Sequence, residues 1–162
     1  MPVTVGQPAP DFTLKGFETP DSAAPQEFTL SKLKGQKNVV LLFFPLVYTP
    51  VCTTEMCGMR DTISQYNDLH AQIFAISVDN PFAQKAWAKE LKLNFPVLSD
   101  FNKDVSAKYD TLFPDLKGWK GVSKRSAFVI DKNGTVRYAA VSDDPGKLPD
   151  FEAIKKTLST LK

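Results

Sequence analysis

The chain contains few cysteines and histidines, the residues that form stabilising disulfides in small domains and bind zinc. Its 162 residues include two cysteines and one histidine, too few for a disulfide framework, whereas tight zinc sites use three or four protein ligands. A chain of this length can bury roughly 70% of the surface that it exposes when unfolded, so its core needs no such support. The two cysteines therefore require another explanation: inert core thiols, a metal site or redox chemistry.

Neither sign of charge dominates, and long apolar runs are absent. Twenty basic residues oppose eighteen acidic ones, and the densest basic group, Lys32, Lys34 and Lys37, is typical of a solvated turn, so no nucleic-acid partner is expected. The longest apolar stretch, residues 39–47, is far shorter than the roughly 20 residues of a membrane span. Residues 1–10 lack the pattern of a secretory signal. We expect a cytoplasmic protein with no membrane partner.

The hydrophobic pattern predicts alternating strands and helices. The run at residues 39–44 is apolar on both faces, as in a central strand, and Pro45 ends it. Thr49 then suits a helix N-cap and Pro50 the first helical position, which predicts a helix reaching about residue 69. Further strands are predicted at 71–78 and 97–98, helices at 81–91, 105–109 and 150–161, and a hairpin at 127–130 and 136–140 around an Asn-Gly turn.

This order predicts one α/β domain over residues 1–162, with a central mixed sheet and helices on both faces. Sites in such folds gather beyond the carboxyl ends of the strands. The junction at residues 44–52 lies at such a place. Cys52 falls in the first turn of the predicted helix, where free N–H groups and the helix dipole favour a reactive thiolate. From position alone, a small buried hydrophobe is an equally good interpretation.

Two distant segments resemble the peroxiredoxin family. Pro45, Thr49 and Cys52 fill its signature Pro-x-x-x-Thr/Ser-x-x-Cys after a buried strand. The sequence from 122 to 131, Val-Ser-Lys-Arg-Ser-Ala-Phe-Val-Ile-Asp, is similar to the strand that bears the family's catalytic arginine, which places Arg125 there. The likeness extends over most of the chain. It implies a thioredoxin-like fold and the reduction of hydroperoxides without a cofactor or metal.

The resemblance assigns a role to each of these residues. Cys52 would be the peroxidatic thiolate, and Arg125 would meet charge that builds on the peroxide. Thr49 would orient the peroxide, and Pro45 would shield the sulfur from water. Glu55 is a further candidate, although an ordinary first-turn glutamate explains it equally well. Among the three arginines, Arg60 is expected to face solvent, and Arg137 to support the site or pair on the surface.

Attack on peroxide leaves a sulfenic acid, which a second thiol converts to a disulfide. Cys57 is the only internal candidate, and its spacing from Cys52 resembles the bacterioferritin-comigratory, or plant Q-type, members. Residues five apart on a helix have Cα atoms about 8.6 Å apart, beyond the limit for a disulfide, so the helix start would have to unwind. Gly58 would ease that change. AhpE-like relatives, resolved by an external thiol, remain the alternative, and no carboxyl-terminal cysteine exists for intersubunit resolution.

The expected partners are a hydroperoxide and a thiol donor such as thioredoxin or glutaredoxin, with the chain a monomer or homodimer. Two other functions compete. A thioredoxin-type disulfide reductase would use Cys-x-x-Cys, a shorter spacing than that found here. A metal-binding or redox-sensing module would need Cys52, Cys57 and His70 together, although His70 lies some three turns beyond the cysteines.

Overall fold

The structure, a computed structural model, describes residues 2–161 and is built on a seven-stranded mixed sheet. The strands are β1 (Thr13–Phe17), β2 (Gln26–Thr29), β3 (Asn38–Phe43), β4 (Ala71–Ser77), β5 (Val97–Ser99), β6 (Ser126–Ile130) and β7 (Val136–Val141). Their order across the sheet is β2-β1-β5-β4-β3-β6-β7. The central strands β3, β4 and β5 run parallel, whereas β1, β2 and β6 pair antiparallel to their neighbours, as does β7.

Among the described residues, three α-helices connect strands of the sheet and a fourth follows β7. They are α1 (Pro50–Asn67), α2 (Pro81–Leu91), α3 (Asp104–Lys108) and α4 (Phe151–Ser159), and a short 3-10 helix covers Leu30–Leu33. Asn80 and Asp150 cap α2 and α4, since each side chain accepts a hydrogen bond from the backbone N–H three residues ahead. Among residues 2–161, no helix is long and apolar enough to cross a membrane.

Strand β3 lies at the centre of two apolar layers, which explains why its sequence is apolar without alternation. Val40 and Leu42 face a cluster that also contains buried residues of α1, α2 and α4. Val39, Leu41 and Phe43 face the opposite cluster, to which α3 contributes. The prediction of a mixed sheet with helices on both faces is confirmed.

Strands β1 and β2 were not predicted from the sequence. β1 is short and contains Gly16, where a Cβ atom would lie 2.5 Å from the carbonyl oxygen of Val97 on the neighbouring strand. Close approach of two backbones therefore requires glycine in this strand. In the Asn-Gly turn between β6 and β7, Gly134 has a positive φ of 83°, whereas Asn133 does not. Beside this turn the register of the β6–β7 pair shifts, because Val129 pairs with Tyr138 and the next residue, Ile130, pairs with Val136.

Candidate active site

The candidate site lies where β3 ends and α1 begins. The N–H of Phe44 donates to the carbonyl of Ile76 on β4, but Pro45 has no N–H with which to continue the strand. The following loop is fastened to the sheet by Asp79, whose Oδ2 accepts a hydrogen bond from the N–H of Val47 at 3.0 Å. Pro45 is buried, so the loop begins inside the protein and reaches the surface at Tyr48, which is exposed.

Thr49 stands at the N-cap position of α1 but does not cap it. Its side chain makes no capping hydrogen bond, and its hydroxyl donates instead to the carbonyl of Leu46 at 2.8 Å. The sequence prediction was therefore right about where the helix begins and wrong that the side chain of Thr49 caps it. The hydroxyl closes the loop 46–49, and its oxygen keeps the capacity to accept a further hydrogen bond.

Cys52 lies in the first turn of α1 and is buried, with 1% of its surface exposed. The Nη2 atom of Arg125 lies 3.2 Å from its Sγ. The sheet explains how residues 73 positions apart meet. Strand β6 pairs with β3 so that Ser126 lies opposite Phe43; Arg125, immediately before β6, therefore reaches the space beyond the carboxyl end of β3.

Glu55, one turn further along α1, forms a buried ion pair with Arg125. Its Oε1 lies 2.6 Å from Nη1 of Arg125, and both side chains are almost fully buried. Burial outweighs the attraction of Arg125 and raises the pKa of Glu55 to about 7. Burial opposes the charge of Arg125 as well, but Glu55 and Cys52 together raise the pKa of Arg125 above its ordinary value. The interpretation of Glu55 as an ordinary first-turn glutamate is therefore wrong.

The carbonyl oxygen of Pro145 also holds Arg125, and sequence reasoning missed it. It accepts hydrogen bonds from Nε at 3.0 Å and from Nη2 at 2.9 Å. Together with Glu55 and Cys52, it accounts for four hydrogen bonds of a guanidinium that carries five N–H donors. A backbone carbonyl has no residue signature, and the dipeptide Pro145-Gly146 signals only a turn.

Cys57 is half-buried, and both cysteines are free thiols on the same continuous helix. The helical spacing places their Cα atoms about 8.6 Å apart, so the described conformation does not bring the two sulfurs within bonding geometry. Gly58, which follows, is exposed and meets no atom within 4 Å of an added Cβ. The first turns of α1 contact α2 through Trp87, whose Nε1 donates to Oγ1 of Thr53 at 3.4 Å.

Two other candidates lie away from this site. Arg137 pairs with Asp131 at 3.0 Å and is about half exposed. Asp131 follows the opposite end of β6 from Arg125, so the expectation that Arg137 supports the site is corrected to surface pairing. His70 is exposed in the turn after α1. Across residues 2–161, no group of three or more His, Cys, Asp or Glu side chains is arranged to hold a metal ion.

The arrangement combines a buried thiol at a helix start with a cation that cannot lose its proton. Such surroundings favour nucleophilic attack by sulfur and stabilise negative charge on the group attacked. Comparison with protein-family models matches residues 5–139 to the AhpC/TSA family. The chain belongs to this peroxiredoxin family.

Individual relatives agree with this membership. Over 161 residues the peroxiredoxin is 35% identical to "Alkyl hydroperoxide reductase E" of Mycobacterium tuberculosis, a match that covers 98% of each chain. It is 37% identical over 150 residues to the mitochondrial "Thioredoxin-dependent peroxide reductase" of Drosophila melanogaster, covering 88% of this chain and 61% of that protein. The solved mitochondrial 2-Cys peroxiredoxin of Plasmodium falciparum superposes with a TM-score of 0.84 at 30% identity, covering 97% and 93% of the two chains.

These comparisons confirm three expectations from the sequence: the family, the thioredoxin-like fold and the class of enzyme, a peroxidase.

Proposed function

We propose that this peroxiredoxin reduces hydrogen peroxide and organic hydroperoxides with Cys52 as the attacking thiolate. The observation that carries the proposal is the 3.2 Å contact between Nη2 of Arg125 and Sγ of Cys52. A cation in hydrogen-bond contact with a sulfur favours its thiolate form, which is the nucleophile. No other arginine of the chain shares a hydrogen bond with a cysteine among residues 2–161.

In the first step, the thiolate of Cys52 attacks one oxygen of the O–O bond. An S–O bond forms, the O–O bond breaks, and the second oxygen leaves as hydroxide or alkoxide, which takes up a proton to give water or an alcohol. The sulfur is oxidised to a sulfenic acid as the peroxide is reduced. Arg125 stabilises the departing charge, and Thr49 positions the peroxide with its free acceptor capacity while its hydroxyl proton stays in the hydrogen bond to the carbonyl of Leu46.

In the second step, the thiol of Cys57 attacks the sulfenic sulfur of Cys52, which forms a disulfide and releases water. A dithiol donor of the thioredoxin type then reduces the disulfide and restores both thiols. This step requires the beginning of α1 to unwind. The hydrogen bonds of α1 favour unwinding of its first turns alone. After Gly58, the helix is held to the end of α2 because Arg60 donates to the carbonyl of Leu91, and to the segment after α2 because Asn94 donates to the carbonyl of Arg60. Unwinding confined to residues 50–57 leaves these contacts in place.

Reduction by an external thiol without Cys57 is the second candidate for this step. The unbroken helix from Pro50 to Asn67 favours it, because the two cysteines lie too far apart until that helix opens. Cys57 then remains a half-buried thiol throughout the cycle.

Stopped-flow measurement of peroxide reduction by the wild type and two cysteine variants tests the proposal. Cys52→Ser is expected to be inert, and Cys57→Ser to complete one turnover and then stall until a small thiol is added. A Cys52→Ser protein that still consumes peroxide would refute the first step.

Intact-mass analysis after one equivalent of peroxide separates the two forms of the second step. Loss of two hydrogens supports the Cys52 to Cys57 disulfide. A stable gain of one oxygen, with no intramolecular bond, supports resolution by an external thiol.

A further inference from the structure

The segment that holds Arg125 from outside α1 is a β-turn on the protein surface. It spans residues 144–147, and the N–H of Lys147 donates to the carbonyl of Asp144 at 3.1 Å. Pro145 and Gly146 occupy its two central positions. The peptide unit between them carries the carbonyl oxygen that accepts two hydrogen bonds from Arg125. The orientation of this one peptide therefore decides whether Arg125 keeps two of its four hydrogen bonds.

Turns of this kind have two alternative orientations of the central peptide. Types I and II differ mainly by a rotation of that peptide through roughly half a turn, and type II requires a positive φ at the third residue. A Pro-Gly pair suits type II, because glycine adopts that φ without cost. Gly146 is nevertheless not among the glycines with a positive φ. The turn thus has the orientation that its two central residues do not by themselves prefer.

The side chain of Asp144 accounts for this orientation. Its Oδ1 accepts a hydrogen bond from the N–H of Gly146 at 2.9 Å. The N–H of Gly146 and the carbonyl of Pro145 belong to the same planar peptide and point in opposite directions. Holding the N–H on Asp144 therefore directs the carbonyl oxygen away from it and onto Arg125.

The neighbouring contacts fix Asp144 itself. Its N–H donates to Oγ of Ser142, whose hydroxyl donates back to the carbonyl of Asp144, both at 3.1 Å. The N–H of Ser142 donates to the carbonyl of Arg125, so the turn is tied to the residue that it positions. Asp144 is exposed and touches neither cysteine by hydrogen bond.

We infer that Asp144 is a positioning residue for the peroxidase reaction, which orients the Arg125 guanidinium through the Pro145–Gly146 peptide. The inference rests on the proposed function of Cys52 and Arg125. When the peptide flips, the carbonyl oxygen leaves Nε and Nη2, and the guanidinium is free to turn away from Sγ of Cys52. The carboxylate acts here as a hydrogen-bond acceptor, so an amide oxygen at the same place has the same effect.

Three single variants distinguish the loss of the hydrogen-bond acceptor at Asp144 from the loss of its negative charge and from a general disturbance of the loop. Asp144→Ala removes the acceptor and is expected to lower the rate constant for peroxide reduction about tenfold, which corresponds to the hydrogen bond that Asp144 no longer accepts from the N–H of Gly146. Asp144→Asn keeps an oxygen in place and is expected to stay within about twofold of the wild type. Asp143→Ala, in the same loop, removes an exposed partner of Lys124 instead and is expected to have no effect.

A double variant provides the sharpest test. Gly146→Ala disfavours the positive φ of type II, so in the Asp144→Ala protein it is expected to restore most of the lost rate. The added Cβ has room there, since the atom that it would approach in the wild type, at 3.3 Å, is Oδ1 of Asp144 itself. A loss caused by general damage to the loop would not be restored by a second substitution.

A second measurement, the titration of the thiol, does not require peroxide turnover and complements the rate constants. Thiolate absorbance at 240 nm, followed against pH in a Cys57→Ser background, is expected to have its midpoint at higher pH in Asp144→Ala and at the wild-type position in Asp144→Asn and in the double variant. If the wild type does not reduce peroxide, the proposed function fails, and this titration still decides the positioning role.

Four results would overturn the inference: a wild-type rate and titration in Asp144→Ala, an equal loss in Asp144→Asn, no recovery in the double variant, or an Asp144→Ala protein that does not fold. The last counts against it because the inference confines the effect to a single exposed turn.

Discussion

The carboxylate of Glu55 meets the guanidinium of Arg125 with only one of its oxygens. Oε1 lies 2.6 Å from Nη1, whereas Oε2 is buried and has no hydrogen-bond partner among residues 2–161. An ion pair that is satisfied on one side only carries a large desolvation cost. The pair therefore orients Arg125 at the expense of stability, which makes the protonation of Glu55 a measurable property of the fold.

Stability is expected to depend on pH through Glu55. Burial raises the pKa of Glu55 from 4.5 to about 7, so the folded state binds its proton more tightly than the unfolded state does. The stabilisation is fully present below pH 4.5 and is lost as the pH rises through 7, by at most about 3 kcal/mol. Urea denaturation between pH 4.5 and 8 should show this slope in the wild type and not in Glu55→Gln. Glu152→Gln, at an exposed carboxylate, is the control that should keep it.

Replacing Arg125 by lysine is expected to slow peroxide reduction about 100-fold or more, although the charge is kept. Lysine lacks the planar fork that reaches Cys52, Glu55 and Pro145 together, and loss of one donor to developing charge costs about that much. Stopped-flow measurement gives the rate constant. The matched control is Arg137→Lys in the exposed pair with Asp131. Equal losses in the two variants would contradict the site.

The hydroxyl of Thr49 is expected to matter more than its position at the helix start. Thr49→Val removes the hydrogen bond to Leu46 and should lower the peroxide rate constant about tenfold, whereas Thr49→Ser should retain most of it. Thr54→Val removes a hydroxyl of similar geometry, bonded to the carbonyl of Pro50 on the exposed side of α1, and should leave the rate unchanged. Equal rates for the Val and Ser variants at position 49 would show that the hydroxyl has no part in the reaction.

Stiffening α1 at Gly58 is expected to stabilise the protein and to slow formation of the disulfide. An added Cβ meets nothing within 4 Å, and alanine in a helix is favoured over glycine by about 0.5–1 kcal/mol. The rate at which the sulfenic acid form loses water to give the disulfide, followed by mass spectrometry, should therefore fall in Gly58→Ala. Ser64→Ala also favours the helix but lies beyond both cysteines. A similar slowing in that control would argue against unwinding at the helix start.

Much of the fold was accessible from the sequence because its signals are local. The apolar run of β3, the cap at Asn80 and the proline at the start of α1 each specify an element through neighbouring residues. β1 was not accessible, since Gly16 serves a contact with β5, 81 to 83 positions away in the chain, and weakens the strand pattern itself.

The sequence predicted the parts of the site whose chemistry comes from a particular side chain. It did not predict the parts that depend on burial or on a backbone carbonyl. Cys52 and Arg125 stand in recognisable motifs, and the pairing of β3 with β6 brings them together. The role of Glu55 depended on burial, which its neighbours in sequence do not reveal. The contribution of Pro145 comes from a carbonyl oxygen that every residue has, so only the path of the chain identifies it.

The contact between Trp87 and Thr53 gives the protein an internal optical probe. The indole of Trp87 is 1% exposed, stacks on Phe44 with ring centroids 5.3 Å apart and donates to the first turns of α1. Opening those turns would let water reach the ring and change its emission, whereas Trp119, the other tryptophan, is already 56% exposed. In a Trp119→Phe protein, the fluorescence of Trp87 alone would report the opening of the first turns of α1 in real time, without a label.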